Sequence, residues 1–121
     1  MGVRFKDAII ESIKETDTKR LKLLKVSSKS DGATLTIELP EALSSRFNAK
    51  DHVDVVIDSK AIPKGEQARL YGEGTVFRRT ETKGLEILGS LGGLRVVLGI
   101  AKPTSSQSKT FSSNTFYIVI T

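Results

Sequence analysis

Cysteine and tryptophan are absent from this chain, and histidine occurs once, at His52. Without a thiol there can be neither a disulfide framework nor a thiolate metal site, so disulfide-stapled scaffolds, zinc ribbons and thiol enzymes are excluded together. No stretch approaches the ~20 consecutive apolar residues that a membrane-spanning helix requires. Charges at Arg4, Lys6 and Asp7 fall where a signal peptide would carry its apolar region, so the expectation is an intracellular, cytoplasmic protein without a membrane partner. Aromatic residues are scarce too, at 6% of the chain, which is thin supply for a protein that stacks successive bases on its surface.

What is present suits one ordinary globular domain. The 121 residues are 38% hydrophobic and 27% charged, and a chain of this size buries roughly two-thirds of its unfolded surface in a single core. We therefore expect one domain over residues 1–121. The net charge of +5 is uneven: residues 1–30 carry eight basic and four acidic side chains, 31–66 four and seven, and 67–121 seven and three. Basic ends raise encounter rates with polyanions or with acidic protein surfaces, and do not choose between them. A plain solvated face is the blander reading.

Apolar residues recur at period two, the spacing that puts them on one face of a strand. Ala33-Thr34-Leu35-Thr36-Ile37-Glu38-Leu39 alternates without a break. Val53, Val55 and Ile57 repeat the pattern, as do Leu94, Val96, Leu98 and Ile100, and residues 116–120 close the chain similarly. In Leu21-Lys22-Leu23-Leu24-Lys25-Val26 the alternation slips by one, which predicts a β-bulge in that strand. Gly92-Gly93 between two apolar runs predicts a tight hairpin joining antiparallel strands at 84–91 and 94–100. Gly72 and Gly74 suit a barrel corner or the close approach of another chain segment. Helix is confined to one or two turns near 40–47, with Pro40 at the first position. The serine-rich stretch 101–115 has too little apolar surface to offset its ordering entropy and reads as a mobile loop. Seven or eight short strands in one small domain hide their edges most economically by closing into an all-β antiparallel barrel.

Chemistry-bearing constellations are sparse. His52 lies in the turn Asn48-Ala49-Lys50-Asp51-His52, where solvent exposure is expected. Asp54 and Asp58 share a strand face but stand roughly 13 Å apart, too far to share a proton or chelate one ion. Gly72-Glu73-Gly74 lacks the third glycine, the lysine and the following helix of a phosphate-binding loop. The serines of 101–115 have no base placed beside them by sequence logic. No catalytic residue, cofactor, metal or small-molecule substrate is expected. For nucleic acid, Tyr71, Phe77 and Arg78-Arg79 form the one stretch where stacking and charge coincide, and Lys19, Arg20 and Lys22 with Lys25 form a second basic run. The blander alternative makes Phe77 a core residue and the basic residues a solvated surface.

Tyr71-Gly72-Glu73-Gly74-Thr75-Val76-Phe77, followed by Ser90-Leu91-Gly92-Gly93-Leu94-Arg95-Val96-Val97-Leu98-Gly99, resembles the carboxy-terminal half of the eighth subunit of nuclear RNA polymerases. That family carries a Tyr-Gly strand, a Ser-aromatic-Gly-Gly-Leu hairpin and an apolar strand ending in glycine. The amino-terminal half is similar as well: Phe5-x-Asp7, an isoleucine at 13, the basic run at 19–22, the strand Leu35-Thr36-Ile37-Glu38-Leu39, and Asp54-Val55-Val56-Ile57. The resemblance thus spans nearly the whole chain, with the hairpin its most specific part. Where the nuclear subunit has a long acidic loop, this chain has only Lys60-Ala61-Ile62-Pro63-Lys64-Gly65-Glu66-Gln67, and in that shortening it is similar to the archaeal form of the family. Leu91 stands where the family has an aromatic, and the 101–115 stretch is longer than its counterpart, so contacts made there are not carried over.

The resemblance implies an oligonucleotide-binding-type barrel of about eight antiparallel strands with at most a short helical turn. It further implies a non-catalytic subunit docked on the largest subunit of an archaeal DNA-directed RNA polymerase near its pore and funnel. Tyr71, Gly72, Leu91, Gly92, Gly93, Leu94, Arg95 and Val97 are then candidate partner contacts, with barrel packing the alternative for several of them. Val56 and Val97 occupy positions that alternation makes wet, as partner surfaces often do. The other functional reading is an autonomous single-strand nucleic-acid binder touching its ligand through Lys19, Arg20, Lys22, Arg78 and Arg79. Scarce aromatics argue that any such binding is weak.

Overall fold

A computed structural model of the chain describes residues 3–15, 20–29, 32–45, 47–60, 70–81, 84–112 and 114–121. Eight strands, β1 (Val3–Glu15), β2 (Leu21–Ser28), β3 (Ala33–Pro40), β4 (His52–Asp58), β5 (Leu70–Glu81), β6 (Leu85–Leu91), β7 (Leu94–Ile100) and β8 (Thr115–Ile120), are accompanied by two short helices, α1 (Glu41–Ser44) and α2 (Ser105–Thr110). The strands close in the order β1-β2-β3-β7-β6-β5-β8-β4, and every neighbouring pair is antiparallel. Closure gives each strand two neighbours and so hides the edges that the alternating sequence could not leave bare. Among the described residues no helix is long and apolar enough to cross a membrane.

Period-two patterning becomes inside and outside as the alternation requires. Ala33, Leu35, Ile37 and Leu39 are buried, as are Val53, Val55 and Ile57, Val96, Leu98 and Ile100, and Phe116, Ile118 and Ile120. These side chains form one continuous core inside the barrel. Two glycines make room for one of its phenylalanines: a Cβ on Gly74 would collide with the Phe116 ring, and one on Gly89 would meet both that ring and the Thr75 carbonyl. Phe116 also packs edge-on against Phe111, with ring centroids 6.3 Å apart.

The hairpin between β6 and β7 folds as the two glycines demand. Leu91 pairs with Leu94, and Gly92 and Gly93 take φ of +61° and +89°, the positive values of a type I′ turn whose twist matches the flanking strands. The Ser90 hydroxyl oxygen accepts a hydrogen bond from the Gly93 N–H at 3.0 Å and braces the turn.

Three expectations need correction. The bulge anticipated in β2 lies on its partner: β2 pairs with β3 without interruption, whereas the β1–β2 register shifts between Ile10 and Ser12, leaving Glu11 as the extra residue. Leu24 and Val26 keep the inward register while Leu21 and Leu23 stay half-buried on the other, so the slip in alternation is absorbed without an inserted residue in β2. Second, 101–115 contains α2. Thr104 and Gln107 form a capping box, the Thr104 hydroxyl oxygen accepting from the Gln107 N–H at 3.1 Å and the Gln107 side chain accepting from the Thr104 N–H at 2.9 Å. Thr110 and Phe111, which follow, are buried. A local polar device and one anchoring ring order what overall polarity suggested could not be ordered. Third, Phe77 is outside the core, for a reason set by β5.

β5 carries a register shift of its own. Val76 pairs with Gly89 and Arg78 with Leu88, so Phe77 has no partner in β6. The inserted residue turns outward, as a bulge re-aims side chains, and Phe77 is 69% exposed.

Candidate functional site

The outer wall of β5, β6 and β7 carries Tyr71, Arg78, Arg95 and Val97 of the residues that the sequence singled out. Reading across the strands, Arg78 lies opposite Leu88, and Leu88 opposite Val97. Arg78 is exposed, while Leu88 and Val97 are half-buried on the outside of the barrel. Two pairs further along, Ser90 faces Arg95, whose backbone N–H donates to Glu38 Oε1 at 3.0 Å and whose side chain is exposed. Phe77 projects from the bulge beside Arg78. The resulting ledge has an apolar middle, Phe77, Leu88 and Val97, and arginines at its margins.

The remaining anticipated contacts divide between inside and outside. Leu91 is only 7% exposed and belongs to the core, and Gly72 faces it so closely that a Cβ there would meet the Leu91 methyls at 2.8–3.0 Å. Register places both on the inner face, where they pack against each other. Gly92 and Gly93 are exposed at the hairpin tip, where a Cβ on either would meet nothing within 4 Å. Leu94, half-buried, flanks them. Tyr71 is 40% exposed but occupies a different part of the wall, in a row with Val119 of β8 and Val56 of β4. Val119 is buried although it faces away from the core cluster.

The two basic runs do not meet. Lys19 lies outside the described residues. Arg20 is exposed at φ +64°, immediately before β2. Lys22 Nζ is engaged by Glu15 Oε1 at 3.1 Å, and Lys25 Nζ by Glu11 Oε2 at 3.7 Å. Arg78 and Arg79 stand on β5, four strand spacings away in the barrel order, or roughly 19 Å of wall. Arg79 is moreover occupied: its Nη2 lies 3.2 Å from Glu81 Oε1 and 2.5 Å from Ser108 Oγ, and the Ser108 hydroxyl also donates to Glu81. These contacts tie α2 to β5. The Ser108 hydroxyl foremost, and then Arg79, hold the Glu81 carboxyl below its ordinary value.

Sequence reasoning missed this Arg79–Glu81–Ser108 cluster, although Thr104-x-x-Gln107 is a legible helix start. It also missed Leu88 as a surface residue. Phe77 and Arg78, adjacent and both on the outside, break the alternation of β5, whereas Arg79 lies opposite the inward-facing Ile87; that adjacent pair was the available signal for the bulge.

His52 is exposed and its Nδ1 lies 2.7 Å from Asp7 Oδ1. Asp7 sits at φ +57° in an irregularity of β1, and its N–H donates to Asp54 Oδ1 at 2.8 Å. Asp54 therefore braces the backbone. Asp58 Oδ1 likewise accepts from the Ser59 N–H at 2.7 Å. Among the described residues no three His, Asp or Glu side chains are grouped to hold a metal ion. An open groove of about 300 Å³ lies over Gly99, between Thr34 and Glu86, and among the described residues Glu86 is the one ionisable group in its lining.

These features define a small closed β-barrel whose most distinctive surface is a ledge of apolar and cationic side chains next to a bare glycine turn. No protein-family model matches the chain, and comparison with curated proteins finds no match.

Proposed function

We propose that this barrel is a non-catalytic subunit of an archaeal DNA-directed RNA polymerase, docking on the largest subunit and supporting assembly, in an oligonucleotide-binding-type barrel located in the cytoplasm. The observation that carries the reading is the Ser90-Leu91-Gly92-Gly93-Leu94 hairpin, the segment in which the sequence resembles the polymerase subunit most specifically. Its turn is tight, exposed and free of side chains, so another backbone can approach it closely, and it borders the apolar ledge on β6 and β7. Rigid presentation of a bare turn and a side-chain ledge suits a permanent protein neighbour, because little conformational freedom is lost on docking.

Affinity purification of the native chain from its host tests this directly. The large polymerase subunits should copurify in comparable amounts through a high-salt wash. Recovery of the chain without them rejects the proposal.

One observation favours a second reading. Phe77, an exposed ring beside Arg78, has the chemistry of a base-stacking contact. Under that reading the isolated chain binds a single-stranded oligonucleotide more tightly than ~1 μM at physiological salt, with affinity falling steeply as salt rises. A fluorescence-anisotropy titration at two salt concentrations separates the readings.

A further inference from the structure

We propose that the ledge centred on the bulged Phe77 is the anchor by which this chain holds its docking partner, and that the partner offers an apolar slot bordered by a carboxylate that meets Arg78. The inference rests on the subunit reading above and names the surface and chemistry that reading leaves open. Among the described residues, Phe77 and Tyr71 are the large hydrophobic side chains left exposed, and Phe77 is the more exposed of the two. The exposure is built in: β5 inserts a residue at this point, and the β5–β6 pairing resumes on both sides of it. A ring held out from a rigid wall, next to an arginine, is the composition of an interface hot spot, in which one filled pocket dominates the binding energy.

The surroundings select a protein over a nucleic acid. Leu88 and Val97 form an apolar floor beside Phe77, which a sugar-phosphate chain would cover without matching. The other exposed aromatic, Tyr71, is six residues along β5, roughly 20 Å away, too far to stack consecutive bases with Phe77. Charge completes the match. Arg78 makes no ion pair with another described residue. Of the acids on this wall, Glu38 is engaged by the Arg95 N–H, Glu86 lies across from Gly99 at the far side of the ledge, and Glu73 lies further back along β5, opposite Tyr117 of β8. The closed strand order gives every strand two neighbours; past Thr75, β5 pairs with β6 alone among the described strands, and the side chains projecting there are what a partner meets.

The test is a binding titration of the full chain against the purified largest polymerase subunit of the same host. Wild type is compared with Phe77→Ala, Arg78→Glu, Arg78→Lys and, as a charge control on another strand, Lys14→Glu. Phe77→Ala and Arg78→Glu should each weaken binding about tenfold or more, as hot-spot residues do. Arg78→Lys should retain most of the affinity and Lys14→Glu nearly all of it. Thermal melts of Phe77→Ala and Arg78→Glu should match wild type, since both side chains stand outside the core. If wild type binds and Phe77→Ala binds equally well, the ledge proposal is overturned while the subunit reading stands. If wild type fails to bind, the subunit reading falls and the ledge proposal with it. If Phe77→Ala instead abolishes binding to a single-stranded oligonucleotide and spares the polymerase subunit, the occupant is nucleic acid and the proposal is wrong.

Discussion

At the scale of single residues, the barrel is held to shape by close approaches that tolerate no added atom. Gly74 and Gly89 lie under the Phe116 ring, and in a close-packed interior one extra methyl must displace something. Gly74→Ala should therefore cost about 1–3 kcal/mol, visible in urea denaturation as a lower midpoint with an unchanged slope. The Glu81 carboxylate is a contrasting case, exposed and held by hydrogen bonds. Its affinity for a proton is lowered in the folded chain by the Ser108 hydroxyl first and the Arg79 guanidinium second. A depressed carboxyl makes the unfolded chain bind more protons in the affected window, so stability rises with pH there. The contribution is present above the ordinary value of 4.5 and is lost as pH falls through the lower folded value. Wild type should thus melt at a higher temperature than Glu81→Gln at neutral pH, and the difference should vanish in acid. An unchanging difference would mean that the contact to α2 does not depend on the charge.

At the scale of elements, the β6–β7 hairpin and α2 show two ways of encoding local structure. The hairpin depends on backbone conformation: both central residues sit at positive φ, where a β-branched side chain is strained and asparagine is tolerated. Gly92→Asn should leave stability nearly unchanged, whereas Gly92→Val should cost on the order of 1–3 kcal/mol, although neither side chain would touch a neighbour. Paired denaturation curves decide this, and equal losses in both variants would refute the conformational explanation. For α2 the determinant is a side-chain cap. Thr104→Ala removes the hydroxyl that receives the Gln107 N–H and should cost about 1 kcal/mol of local stability, read as faster amide exchange at 105–110. The hairpin was legible in sequence because Gly-Gly between alternating strands has few other uses. The helix was overlooked because its cap is a four-residue signal inside a polar stretch.

At the scale of the whole molecule, closure joins the first strand to the fourth and the third to the seventh, so distant segments must pair before any part of the core is sealed. Such topologies fold slowly for their size, in milliseconds to seconds, and single cores of this length unfold as one unit. Far-ultraviolet dichroism and tyrosine fluorescence should therefore report a single coincident transition in urea. Two separated transitions would show that the barrel is divisible.

What the sequence determined by itself was the local grammar of the chain. Period-two alternation specified strands and their inward faces, Gly92-Gly93 specified a turn, and the lack of cysteine excluded thiol chemistry, each through residues adjacent in the chain. Register was set by the closed sheet. It moved the bulge from β2 to β1, turned Leu91 inward over Gly72, expelled Phe77 beside Arg78, and brought Ser108 to Arg79 and Glu81 across 29 and 27 residues of sequence. Pairing between strands remote in sequence is a property of the closed sheet, and a shift of one residue exchanges its inner and outer faces.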